Sequence, residues 1–306
     1  VSVDIRPATP DDRATVNALL RRSLSTGDDP RYDRFLEWKH RENPFGSSYE
    51  WVATAGGGIV GYRAFLRWEL LVDGTVHRAV RAVDTATDPH HQGKGIFRAL
   101  TLHAVEQMTA DGVSWVFNTP NDASRPGYLT MGWSVVGQVP VAVRPRNLLV
   151  LRHARRARQA AERWSETVEG FERAVDLLEL KAVRSSDDWS TNRTDAFLQW
   201  RYGLDDLHYY GARTESDATV VFRVRRRGPL REALIADVVG PGDGVARATR
   251  QILRRTKADV AVLTGGPRSL TAMPVAGPQL TWRPLADDRI PTTGELHFTG
   301  GDLELF

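Results

Sequence analysis

The four residues Gln92-Gly93-Lys94-Gly95 and the carboxylate of Asp84 just ahead of them are the first groups in this chain whose types and spacing suit chemistry. Two glycines in so short a stretch remove side chains that would hold an anion at a distance. Main-chain N–H groups from about Gln92 to Phe97 can therefore cradle a diphosphate. Lys94 either touches a phosphate from this turn or faces solvent. The adjacent pair His90-His91 has no third ligand in view and reads as exposed loop rather than as a metal site, although either ring can hydrogen-bond phosphate. Asp88, directly before Pro89, reads as a turn residue.

The elements on either side must hold that turn. Val76 to Val83 alternates apolar and polar residues as a strand does, and Ile96, Leu100, Ala104 and Met108 recur at helical spacing. A strand thus runs through a glycine turn into a helix whose first amides lack partners and whose dipole leaves positive charge at that end. The dinucleotide fingerprint fits poorly, with no G-x-G-x-x-G and no acidic residue closing a second strand. The Walker loop is excluded by the absence of Gly-Lys-Ser/Thr after a four-residue spacer.

Composition sets the outer bounds. A chain of 306 residues with 41% hydrophobic content can build two cores, and a net charge of only +3 argues against a dedicated nucleic-acid binder. There is no cysteine, hence no disulfide, thiolate metal site or cysteine nucleophile. The first residues show no basic segment followed by an apolar core, and no window approaches a membrane span, so a soluble cytoplasmic protein is expected.

The order strand, proline, Gln-Gly-Lys-Gly-Ile, helix resembles the coenzyme A loop of the GNAT superfamily of N-acyltransferases, whose pattern is Gln/Arg-x-x-Gly-x-Gly/Ala. Gln92 and Gly95 match it; Phe97 stands where the family has a small residue, so it must point away or alter the backbone approach. Val1 to Ile5 as a strand, a helix through Val16, Leu19, Leu20 and Leu24, a short helix from Tyr32 to Arg41, and a hairpin across Ala55-Gly-Gly-Gly58 follow the family's order. So do the strands Val113 to Phe117 and Ser134 to Val143. The fold implied is α+β, a mixed central sheet flanked by helices.

The resemblance also implies roles. Thr85, Ala86 and Thr87 bracket the backbone N–H that would hold a thioester carbonyl, and Gln92, Gly93, Lys94, Gly95, Ile96 and Phe97 form the cofactor turn. Tyr128, ahead of Gly132-Trp133, takes the place of the general acid that protonates a departing thiolate; packing is its alternative role. Asp84 takes the place of a base or water-ordering carboxylate, with capping or pairing to an arginine as the alternative. Trp38, His40, Asn118 and Asn121 are placed to line the acceptor pocket. Direct transfer from acetyl-CoA, or another acyl-CoA, to a small primary amine in a ternary complex is the reaction expected; it needs no cysteine. Aminoacyl transfer from tRNA and a non-catalytic acyl-CoA sensor are the rivals. Neither nucleic acid nor membrane is an expected partner, and the oligomeric state stays open, a homodimer included.

Three stretches are expected: a catalytic domain over 1–143, a basic connecting helix over 144–166 and a second domain over 167–306 that shapes or closes the acceptor cleft. Phe197-Leu-Gln-Trp200-Arg-Tyr202 echoes Phe35-Leu-Glu-Trp38-Lys-His40, and paired strands from Ala218 and Glu232, a helix from Val245 and a strand from Val260 repeat the N-terminal order. There Gly240-Pro-Gly-Asp-Gly244 replaces the glycine-lysine turn; Pro241 has no N–H and Asp243 would repel phosphate, so this domain is read as degenerate and unable to bind coenzyme A. Closing strands are expected from Trp282 onward.

Overall fold

The computed structural model describes residues 3–24, 27–147, 150, 160–178, 189–264 and 272–304. The chain divides into two compact units, Val1–Gly137 with Pro278–Thr293 and Gln138–Gly277 with Gly294–Phe306.

The first unit begins with β1 (Asp4–Pro7), α1 (Arg13–Leu24), α2 (Arg31–His40), β2 (Tyr49–Ala55), β3 (Gly58–Val72) and β4 (Thr75–Thr87). It continues through α3 (Ile96–Ala110), β5 (Trp115–Asn118), α4 (Arg125–Thr130) and the start of β6 (Ser134–Pro145). Strands β1 to β4 pair as antiparallel neighbours, and β4 pairs β5 in parallel, the crossover being α3. This is an α+β arrangement, a mixed sheet flanked by helices. Helix α3 forms because Ile96, Leu100, Ala104 and Met108 fall on one face. All four are buried with Trp51, Phe65, Val80 and Val116. Gly61 on β3 lets the helix sit close, since a Cβ there would lie 2.6 Å from Ile96 Cγ2.

The second unit holds the rest of β6, then β7 (Glu172–Arg173), α5 (Ala174–Leu177), β8 (Ser190–Thr191), α6 (Asp195–Gly203), β9 (Tyr210–Arg213), β10 (Thr219–Arg227) and β11 (Leu230–Val239). It closes with α7 (Val245–Thr256), β12 (Val260–Thr264), the first part of β13 (Met273–Pro284) and α8 (Gly300–Leu303). Strands β9, β10 and β11 are antiparallel neighbours, β11 and β12 are parallel, and β12 pairs β6. Glu304 is buried here with Arg223, Arg225 and Tyr209 around its carboxylate.

Three boundaries differ from those the sequence suggests. Residues 278–293, expected in the second domain, complete the first unit: Thr281 to Pro284 pair antiparallel with Asn118 to Trp115, and the Trp282 ring stacks on Phe117 at 5.9 Å. The connecting helix expected over 144–166 lies partly outside the described residues, at 148–149 and 151–159. Of its described ends, Arg144 belongs to β6 and Glu166 bridges to Val224. The strands expected beyond Trp282 stop at Pro284. Gly300-Gly301 instead opens α8 under a capping box of Thr299 and Asp302.

Candidate active site

The turn Gln92–Gly95 sits where β4 passes into α3. Gly95 is the N-cap of α3 with φ +77°, a left-handed conformation that costs glycine nothing and other residues roughly 1–2 kcal/mol. Among the described residues no protein group accepts from the main-chain N–H of Gly93, Lys94, Gly95, Ile96 or Phe97. Asp88 is spent locally, its Oδ1 accepting from His90 N at 3.0 Å, and Lys94 Nζ donates to the His90 carbonyl at 2.8 Å. The turn is therefore a set of unaccepted donors at a helix N-terminus, with Asp88 and Lys94 held by the loop itself. Upstream, β4 and β5 pair only from Ala79 to Arg81. The edge of β4 from Ala82 through Thr85, Ala86 and Thr87 lacks a β5 partner, and a bulge opposite Arg63 and Ala64 leaves Asp84 as the extra residue.

Tyr128 is buried on α4 beside that opening, with Phe97 edge-on at 5.5 Å and Trp133 at 5.1 Å. Phe97 is turned onto Tyr128 and Gly127, which answers how a large residue fits a position where a small one is expected. Sequence reasoning missed Arg63. Its guanidinium, 1% exposed, donates from Nη2 to Tyr128 Oη at 2.7 Å and from Nη1 to the Val83 carbonyl at 3.1 Å. It lies against the rings of Phe65, Phe97 and Tyr128, and no carboxylate reaches it among the described residues. Because the phenol oxygen accepts from a cation, the phenol proton is left to point elsewhere. Between Ile59 and Leu66 Arg63 is the one charged residue, and that was the available signal.

Asp84 is likewise buried, its side chain 7% exposed. Its Oδ2 meets Lys39 Nζ at 2.7 Å and His40 Nε2 at 2.9 Å, while His40 Nδ1 contacts Ser48 Oγ at 2.9 Å. Burial alone would push the Asp84 pKa up; the charge of Lys39 and then the hydrogen bond from His40 outweigh it, and the carboxyl is held well below the usual carboxylate range. Such a group is a weak base and a strong anchor of α2 to β4. A depressed folded pKa contributes stability that is whole above the unfolded value of about 3.9 and lost as pH falls through the folded value. In urea titrations Asp84→Asn should therefore lose roughly 3–5 kcal/mol against the parent from pH 5 to 8, because it removes the carboxylate of a buried ion pair. The gap should start to narrow below about pH 4 and keep shrinking as pH falls toward the folded value; a gap that stays constant to pH 2 would contradict the pairing.

Comparison with known proteins fits this geometry. Residues 4–136 match the family model for the acetyltransferase (GNAT) domain. That stretch of the chain is a GNAT domain. Solved structures share the fold over nearly the whole chain. A conserved protein of Enterococcus faecalis V583 superposes with a TM-score of 0.67 at 11% identity, over 94% of this chain and 73% of its own. A GCN5-related N-acetyltransferase from Anabaena variabilis gives 0.63 at 14%, over 93% and 73%. Eis1 from Mycobacterium abscessus gives 0.59 at 16%, over 93% and 74%. No curated protein sequence matches the chain.

Within the GNAT domain the remaining expected residues fall into two groups. Thr85, Ala86, Thr87, Gln92, Gly93, Lys94, Gly95, Ile96 and Phe97 do come together along the β4 edge and the turn. The residues expected to line an acceptor pocket do not. Trp38 is 4% exposed and packs on Phe35, and Asn118 is buried with its Oδ1 accepting from Thr281 Oγ1 at 2.6 Å. Asn121 is exposed, its Oδ1 accepting from Ser124 N at 2.9 Å, and His40 is enclosed by its bonds to Asp84 and Ser48. Trp38 and His40 are buried on α2 together with Tyr32, Phe35 and Leu36, and the helical spacing of these apolar residues could have shown it. Among the described residues no helix is long and apolar enough to cross a membrane, and no group of three or more His, Asp or Glu is placed to hold a metal.

The second unit repeats part of the pattern. Gly244 is the N-cap of α7 with φ +81°, and Tyr202 Oη donates to Asp237 Oδ2 at 2.9 Å, as His40 meets Asp84 in the GNAT domain. Each contact joins the residue two places after the Trp of the Phe-Leu-x-Trp motif to an aspartate on the strand that feeds the glycine turn. Because the contact recurs where the glycine-lysine turn does not, its common role is to pin a helix to a strand.

Proposed function

We propose that this chain is an acyl-coenzyme A dependent N-acyltransferase, with acetyl-CoA the simplest donor and a small primary amine the acceptor. The observation that carries the reading is the row of unaccepted N–H groups from Gly93 to Phe97 at the mouth of α3, a ready site for a diphosphate. The residues present fit the group: Gly93 and Gly95 admit it, Lys94 and His90 stand at its rim, and the bare edge of β4 from Ala82 supplies main-chain donors for an acyl carbonyl. A bound thioester supplies an acyl group already activated toward an amine.

The chain's own residues do the rest. Tyr128 holds a proton at Oη, with Arg63 engaging the oxygen and leaving that proton available for donation. Phe97 and Trp133 keep water from the phenol. Asp84 keeps α2 against β4 through Oδ2, and its Oδ1, without a partner among the described residues, can accept from an acceptor N–H. The second unit is read as a second GNAT-like domain that does not bind coenzyme A, on the strength of Pro241 and Asp243.

Calorimetry with coenzyme A, followed by mass spectrometry of an amine library incubated with acetyl-CoA, tests the proposal. Micromolar binding and acetylated amines are expected. Binding without any product would make the chain a sensor, and the absence of binding would end the reading. Salt-sensitive tRNA binding in place of coenzyme A binding would favour aminoacyl transfer.

A further inference from the structure

One cavity is lined wholly by residues of the second unit. It measures about 510 Å³, within the usual size range of small-molecule sites, and opens at the carboxyl ends of β11 and β12 beneath the start of α7. The parallel pairing of these strands ends at Ile235 and Leu263, and beyond that point they leave a gap. Its walls are mainly apolar, with Ile235, Val238, Val245 and Leu263 among them. An apolar body would be held there by burial alone.

Two polar features make the cavity selective. The first is Arg144, which lines it and is 7% exposed. Its Nη1 donates to the Ala246 carbonyl at 3.2 Å, and among the described residues nothing engages Nε or Nη2 and no carboxylate pairs with the charge. Burial, and after it the charge of Arg250, pull its pKa down from arginine's ordinary value, as an uncompensated buried cation requires. The second is the first turn of α7, where the N–H groups of Val245 and Ala246 have no acceptor among the described residues and the helix dipole adds positive charge. Asp237 also lines the cavity but is not free to attract a cation. Its Oδ2 is held by Arg193 at 3.1 Å and Tyr202 at 2.9 Å, and its Oδ1 accepts from Val238 N at 2.9 Å. Asp243 stands exposed at the mouth, where it and Pro241 oppose a diphosphate.

We propose that this cavity binds a small carboxylic acid with an apolar body, its carboxylate between Arg144 and the first amides of α7 and its body against Ile235, Val238 and Leu263. A medium-chain fatty acid such as octanoate has the right chemistry and fits the space. The site would be separate from the coenzyme A turn of the GNAT domain and would take a ligand that carries one charge rather than several.

Calorimetry on the full chain with octanoate, octanol, octylamine and inorganic phosphate tests this. Octanoate should bind at least about tenfold tighter than octanol, the difference a charge-assisted hydrogen bond gives, and octylamine and phosphate should not bind measurably. Arg144→Gln should bring octanoate down to the octanol level, and Arg144→Lys should keep most of the preference. Leu263→Trp, which fills the cavity, should abolish binding of both, with thermal melts confirming that each variant is folded. Equal binding of octanoate and octanol by the parent chain would overturn the proposal. So would octanoate binding that survives Leu263→Trp, phosphate binding as tight as octanoate, or no binding at all.

Discussion

Gly95→Glu should weaken coenzyme A binding by more than about a hundredfold, equivalent to about 2.7 kcal/mol, while leaving the chain folded. The position makes this a clean test. A Cβ added to Gly95 meets nothing within 4 Å, so glutamate has room; the cost to folding is the left-handed φ of +77°, roughly 1–2 kcal/mol. The cost to binding is much larger, because a carboxylate would stand among the donors that a diphosphate needs and repel it at short range. Gly95→Ala carries the same backbone strain without the charge and should lose only a few-fold. Calorimetry of both variants beside a thermal melt separates the two effects. Unchanged affinity in Gly95→Glu would mean that the turn is not the cofactor site.

The second large effect concerns Tyr128 and Arg63. If Tyr128 holds the transferable proton, Tyr128→Phe should lower kcat by about a hundredfold, the lower range for general acid catalysis, with KM for acetyl-CoA changed little. Arg63 reaches the reaction only through the phenol, so it is a positioning residue. Arg63→Met should lower kcat by about tenfold, shift the pH profile of kcat, and be partly rescued by Arg63→Lys. The pair is coupled by one hydrogen bond of 2.7 Å, so the double variant should be no slower than Tyr128→Phe alone. Losses that multiply would show two independent roles. Equal loss of kcat and of cofactor affinity in Tyr128→Phe would return Tyr128 to core packing.

Much of the GNAT domain was legible because its signals are local. The alternation before Asp84, the glycine turn and the helical spacing from Ile96 each lie within a single element, and the structure places β4, the turn and α3 there. The strands from Ala218 and Glu232 and the helix from Val245 were legible for the same reason. What could not be read depends on partners far away in sequence. Nothing near Trp282 says that it will stack on Phe117, and nothing near Asp84 says that Lys39 and His40 will reach it. Nothing near Arg63 says that it will meet the rings of Phe97 and Tyr128. The tail was misread although its signal was present. Thr299 and Asp302 form a helix-opening pair, and the glycines between them allow close packing, with a Cβ at Gly300 only 2.8 Å from the Ile235 carbonyl.

The pairing of Thr281–Pro284 with β5 has a consequence for synthesis. As the nascent chain leaves the ribosome, β5 emerges with one flank bare, and the strand that covers it is made only after most of the second unit. The GNAT domain therefore cannot finish folding as an early, self-sufficient product. A fragment cut at residue 143 would carry an exposed strand edge, prone to sticking to its neighbours, whereas one that rejoined Pro278–Thr293 through a short linker should be soluble.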